Sequence, residues 1–377
     1  MTGFEKTFGQ ADAPLHCAAH SHHPWPDVSF DAQLQAWTDS ARLLDHKWDY
    51  IFADVIPRAQ AHVARQLALP DSTSIAFGPN THAFVLRILS CLPQSRPIRV
   101  LTTTGEFMSF SRQITRLEEE GLADVTRVPT EPFPTFEERF AAEAAGSAFD
   151  LVFLSQVFFD SGYAVLDLSE VVGAVRDPAT YVVIDGYHGF MAVPTDLRTV
   201  ADRVFYLAGG YKYAMAGEGV CFLHCPPGFG PRPRDTGWYA GFSALESQDS
   251  AVQFARDGSR FMGATFDATC LYRFNAVQDW LRKKRWTVES VLRHVREIER
   301  AFLSASRSAD VNTATLIVSD ERRRGRFLTF RTAKASVIVE QLAAKNIIVD
   351  HRGDRLRIGF GIYHNKSDAL RLAEALS

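Results

Sequence analysis

The stretch "RVFYLAGGYKYAMAGEGV" (203–220) runs from an apolar, β-branched and aromatic segment into a lysine surrounded by glycines, alanines and two tyrosines. Its first half has the length and composition of a buried strand, and the glycines that follow end it. A strand buried on both faces belongs to a parallel sheet covered by helices, where chemistry gathers at the strand ends. Lys212 stands at such an end, and the small residues around it let something bulky approach the backbone.

Outward from this stretch the pattern repeats. Similar runs occur at "TSIAF" (73–77), "IRVLTTT" (98–104), "ADVTRVP" (123–129), "FDLVFLS" (149–155), "TYVVID" (180–185) and "GVCFLHC" (219–225), most of them separated by helical patterns. With "RVFYLA" (203–208) they make seven, and the expected architecture is α/β, a mostly parallel seven-stranded sheet between layers of helices. From Thr269 the texture changes to a helical stretch without Gly or Pro, read as one connecting helix over 268–304. Beyond it "RFLTFRT", "ASVIVEQLAAK", "IIVDHRGDRLRIGFG" and "KSDALRLAEAL" read as a smaller α+β unit. The expected division is an N-terminal segment (1–45), a large domain (46–267), the connecting helix (268–304) and a small C-terminal domain (305–377).

Composition narrows the function classes. The 377 residues are 46% hydrophobic and 23% charged, as in an ordinary globular protein. A net charge of −3 with dispersed arginines argues against nucleic acid or an anionic membrane as partner. No apolar run is long enough to span a bilayer and no leader-like segment opens the chain, so a cytoplasmic protein is expected. Cys17, Cys91, Cys221, Cys225 and Cys270 are scattered and odd in number, against a disulfide framework. "LHCAAHSHHPWP" (15–26) gathers four histidines beside Cys17, but the spacing defines no ligand geometry, and no metal is expected.

Two further stretches place chemistry beside Lys212. "YVVIDGYHGF" (181–190) delivers Asp185 at a strand end and His188 three residues on; an acid there is costly to bury without a cation or strong donor. In "FGPNTHAFVLRIL" (77–89) Gly78 and Pro79 turn the chain, and Asn80 or Thr81 caps a helix whose free N–H groups suit a phosphate. Together these groups make sense around pyridoxal phosphate. The lysine amine forms an imine with its aldehyde, the aspartate keeps the pyridine nitrogen protonated, and the helix start takes the phosphate.

The spacing of Asp185, His188 and Lys212 within "DGYHGF…LAGGYKYAMAGEGV" resembles fold type I pyridoxal-phosphate enzymes of the class V aminotransferase group, most of all kynureninases. The resemblance implies a three-layer large domain with a smaller C-terminal one. It gives Lys212 the covalent link to the cofactor, Tyr211 a phosphate contact and a share in proton transfer, Asp185 the pyridine nitrogen, and His188 the place beside it. Asn80 and Thr81 match the phosphate-binding helix start, and Phe107 in "GEFMS" the aromatic that stacks on the ring. Trp238 in "GWYAGF" and Thr265 in "MGATFD" match positions that reach the phosphate from a neighbouring subunit, which implies a homodimer. Arg357 in "DRLRIGFGIYHN" matches the arginine that grips the α-carboxylate of an amino-acid substrate, with Arg352 and Arg355 as nearby alternatives. His20, Ser21 and Phe159 fall at substrate-facing positions. An aromatic at 159, where aminotransferases and desulfurases of the group carry Asn, leans toward kynureninase-like hydrolytic cleavage of the β,γ carbon bond of kynurenine or a related amino acid. A class V aminotransferase is the alternative. A cysteine desulfurase or selenocysteine lyase is disfavoured because no cysteine follows Cys270, and a non-catalytic binding protein because Lys, Asp, Tyr and Arg are all retained.

Overall fold

The computed structural model describes residues 3–228, 232–244 and 251–377. Its strands are β1 (Leu15–His16), β2 (Ile75–Gly78), β3 (Ile98–Thr103), β4 (Ala123–Val128), β5 (Leu151–Ser155), β6 (Tyr181–Asp185), β7 (Val204–Gly209), β8 (Cys221–His224), β9 (Leu328–Arg331), β10 (Ile347–Ile348), β11 (Asp350–Arg352) and β12 (Arg355–Ile358). β2 to β8 form one seven-stranded sheet in the order β2-β8-β7-β6-β5-β3-β4. β8 runs antiparallel to both β2 and β7, and every other pairing is parallel.

The continuous apolar runs are explained by burial on both faces. Val152, Leu154, Val182, Ile184, Val204 and Tyr206 enter one core, while their alternates Leu151, Phe153, Val183, Phe205 and Leu207 enter another on the opposite face. Chain order turns at β3: β4 lies on one side of it and β5 on the other. Loops leaving β3 and β5 therefore diverge and leave a crevice at their C-terminal ends.

The helical stretch after Asp267 is two helices rather than the single connecting helix expected over 268–304. Thr269–Lys283 ends where Arg285 adopts φ +59°, and Val288–Ala305 begins at a reciprocal cap between Thr287 and Ser290. No glycine or proline marks the break, because a left-handed arginine and a threonine cap make it. The first core continues from the large sheet to Phe330, Leu356 and Ile358 of the antiparallel sheet β11-β12-β9. The N-terminal stretch is bound to the same region, β1 pairing with β10 and Ala18 bridging Gly359. No described helix is long and apolar enough to cross a membrane.

Candidate active site

Strand register sets the floor of the site. β5 and β6 pair so that Ser155 lies opposite Asp185, and Asp185 lies opposite Leu207 of β7. Two and three residues beyond the end of β7 come Tyr211 and Lys212, close to the Asp185 strand end. A cavity of about 930 Å³ opens there, and Asn80, Thr81, Phe107, Phe159, Asp185, His188, Tyr211 and Lys212 all line it. The helix Thr81–Cys91 points its start into this space, with the Asn80 side chain accepting from the Ala83 N–H at 2.9 Å.

Lys212 is 5% exposed, and its Nζ donates to His188 Nε2 at 2.6 Å. Burial pushes its pKa down to about 7, against the pull of Asp185 and with the help of Arg357. The aromatic rings of Tyr187, Tyr211 and Phe107 stand 4.7, 5.5 and 5.6 Å from Nζ. His188 is kept neutral by burial and by Lys212, and its Nδ1 is buried without a partner. Asp185 accepts from the Tyr187 N–H at 2.9 Å, and burial lifts its carboxyl to about 6. Phe107 and Phe159 meet edge to face, ring centres 5.3 Å apart, and form an aromatic wall.

Other expected site residues lie outside the cavity. Trp238 and Thr265 are exposed and do not line it. Ser21 only approaches its neighbour His22, Oγ to Nδ1 at 3.4 Å. His20 is buried and bonds Asp350 at 2.9 Å. Arg357 is 2% exposed and its Nε–Nη2 edge is taken: Nε donates to Asp350 Oδ1 at 2.8 Å and Nη2 to Oδ2, while Nη1 donates to the Phe159 carbonyl. Of the two alternatives, Arg355 is paired with Asp160 and Glu131, and Arg352 lies at the surface, donating to the His351 carbonyl. The four N-terminal histidines diverge to separate contacts: His16 with Tyr363, His20 with Asp350, His22 stacked on Tyr211, and His23 with the Pro24 carbonyl. Among the described residues no three His, Cys, Asp or Glu side chains gather as metal ligands.

Tyr187 and two residues behind the cavity, Glu106 and Asp350, escaped the sequence reading. Tyr187, between Asp185 and His188 in the quoted motif, lines the cavity, and its hydroxyl reaches Cys221 Sγ at 3.6 Å. It fits because β7 ends in a glycine; a Cβ on Gly209 would stand 2.2 Å from that hydroxyl. Glu106, beside Phe107, is 4% exposed and accepts from the Thr103 hydroxyl at 2.7 Å and the Ser155 hydroxyl at 2.5 Å. Burial lifts its carboxyl to about 8 in spite of those donors. Asp350 is the third, and only the β11–β12 register brings it to Arg357.

Comparison with known proteins gives the fold a name. The family model of the kynureninase C-terminal domain matches residues 296–376. Isopenicillin N epimerase of Streptomyces clavuligerus is 29% identical over 194 residues, half of this chain and 48% of that protein. The solved cystine C-S lyase C-DES, in complex with its reaction product cysteine persulfide, superposes with a TM-score of 0.83 at 16% identity, covering 98% of this chain and 99% of that one. Another structure of C-DES, a mutant, has glycine covalently linked to its pyridoxal-phosphate cofactor. The cysteine desulfurase CsdA of Escherichia coli gives a TM-score of 0.82 at 18% identity, covering 99% of this chain and 96% of that one. The chain shares the fold of C-DES and the cysteine desulfurases, pyridoxal-phosphate fold type I.

Proposed function

We propose that the protein is a pyridoxal-phosphate enzyme acting on an α-amino acid, with Lys212 as its covalent attachment point. One observation carries this reading: a buried lysine with pKa near 7 shares a 930 Å³ cavity with a strand-end carboxylate and an open helix start. The donor set fits the cofactor. Asn80, Thr81 and the free N–H groups behind them suit its phosphate, Asp185 its ring nitrogen, the orphaned Nδ1 of His188 marks a polar group with bonding capacity to spare, and Phe107 can stack on the ring. When bound, pyridoxal phosphate supplies an electron sink for bonds at the carbon that bears the substrate amine.

The chain's own groups do the rest. Lys212, neutral over half its population near pH 7, can hold a carbonyl carbon and then carry the proton at the substrate α-carbon. Asp185 stabilises positive charge at the ring nitrogen, and Tyr211 lies beside the amine to assist the proton. Arg357 is proposed for the α-carboxylate. His20 and Ser21, from the stretch that covers Tyr211, are proposed to face the substrate. Trp238 and Thr265, exposed here, are proposed to reach the phosphate of a second copy in a homodimer. The four-part division of the chain, with the segment 268–304 as a helical pair, is proposed on the same footing.

Within this class a kynureninase-like hydrolysis is preferred. The C-terminal match and the Phe107–Phe159 wall, suited to an aryl side chain, support it. Transamination is the alternative. Desulfuration finds less support, because all four buried cysteines are packed where burial raises their pKa. The test is a spectrum of the purified protein with kynurenine, 3-hydroxykynurenine, alanine, aspartate and cysteine in turn, followed by product analysis. Anthranilate or its hydroxylated form with alanine is expected; an α-keto acid would favour transamination, and no spectral response to any amino acid would refute the class.

A further inference from the structure

We propose that Asp350 is a specificity-determining residue, a carboxylate of the protein's own that a substrate carboxylate has to displace from the Nε–Nη2 edge of Arg357. The inference rests on the amino-acid reading above and deepens it. β11 and β12 pair with Asp350 directly opposite Arg357, so the carboxylate is delivered to the guanidinium by the hairpin itself. It takes the side-on fork, Nε and Nη2, a bidentate charge-assisted contact of the strong kind arginine makes with a carboxylate.

The arrangement is built up on both sides. His20 donates to the same Oδ1 at 2.9 Å, stacks on Phe327 with ring centres 4.8 Å apart, and occupies space that a side chain at 359 would remove: a Cβ on Gly359 would lie 2.3 Å from His20 Nδ1. Burial opposes ionisation of Asp350, yet His20 and Arg357 hold its carboxyl well below the usual range, so it is charged at every working pH. The group stands directly behind the reaction cavity. Arg357 Nη1 donates to the carbonyl of Phe159, a cavity-lining residue, and the Phe327 ring that carries His20 also meets His188 at 5.7 Å. Both Arg357 and Asp350 are felt by the Lys212 amine.

Two carboxylates cannot both hold the same fork. An amino acid gains the Nε–Nη2 edge of Arg357 only by releasing Asp350, so its net gain there is small, whereas an amine without a carboxylate is unaffected. The wild-type site therefore discriminates weakly for the carboxylate, and loss of Asp350 sharpens that discrimination.

The experiment compares wild type, Asp350→Asn and His20→Phe. Propionate is titrated calorimetrically into the protein as purified, and L-alanine and ethylamine are titrated spectroscopically into the cofactor-loaded protein. Asp350→Asn should bind propionate and L-alanine roughly tenfold to a hundredfold more tightly, the worth of one charge-assisted contact, with ethylamine unchanged. His20→Phe keeps the stack on Phe327 but removes one hold on Asp350, and should shift the same way by less. A folded Asp350→Asn protein with unchanged propionate affinity overturns the proposal, because a merely structural ion pair would alter stability alone. Should that variant not fold, an unchanged propionate affinity in His20→Phe overturns it instead. Absence of any cofactor spectrum would refute the proposed function while leaving the propionate comparison to decide the role of Asp350.

Discussion

At pH 8 Lys212 should titrate as no surface lysine does. Its ammonium would sit 5% exposed against a neutral imidazole at 2.6 Å, and burial brings its pKa from 10.5 to about 7. That difference corresponds to roughly 5 kcal/mol of bias toward the neutral amine, at about 1.4 kcal/mol per pH unit. The neutral fraction at pH 8 is then roughly 300-fold that of an unperturbed lysine. Replacing Asp185 with Asn removes the negative charge that opposes the shift, so the midpoint should fall below 7. The sign carries into stability. An unfolded lysine keeps its proton up to 10.5 and the folded one loses it near 7, so between those values the unfolded chain binds more protons and stability from this group rises with pH. The assay is trace labelling of cofactor-free protein with acetic anhydride across the pH range, read by peptide mass mapping against a reference amine. Restricted access lowers the labelling plateau but leaves the midpoint in place. A midpoint near 10 in wild type, or a rise in Asp185→Asn, would refute the reasoning.

Other outcomes follow from the same geometry. Lys212→Ala should lose both the visible cofactor absorbance and the borohydride-stable attachment; a trapped adduct elsewhere would move the attachment point. Asp185→Asn should still bind the cofactor while turnover drops by about two to three orders of magnitude, the scale for loss of an active-site electrostatic partner, and near-normal turnover would contradict its pairing. Asn80→Ala removes the helix cap at the cavity and should cost about 1 kcal/mol in denaturant unfolding, together with weaker cofactor binding. Glu299 is fully buried between Arg296 at 2.6 Å and Arg324 at 3.3 Å, so Glu299→Ala should cost about 3–5 kcal/mol by leaving buried cations unpaired; a thermal midpoint equal to wild type would show the network to be dispensable.

What could be read along the chain was whatever a short window contains. Six of the seven strands show themselves as apolar runs because both faces of the sheet are covered there, the edge strand β4 being the half-exposed one, and a run of four to six such residues needs no partner to be recognised. Asp185 and Lys212 were legible for the same reason: a charged residue at the end of such a run stands out, and all parallel strand ends lie on one side of the sheet. Asn80 announced its helix because a cap is a local bond, from its own side chain to an N–H three residues on. The rest depended on distance in sequence. The helix break at Arg285 is a conformation that no helix-breaking residue marks. Tyr187 enters the cavity only because Gly209, on a neighbouring strand, leaves room for it. Arg357 read as a free fork because a window of sequence shows a residue's charge and not its partner. The hairpin register sets Asp350 against it, and the N-terminal His20, more than three hundred residues away, secures that carboxylate. Periodicity reports which face a residue occupies; what it meets there is decided by long-range packing, which only the folded chain displays.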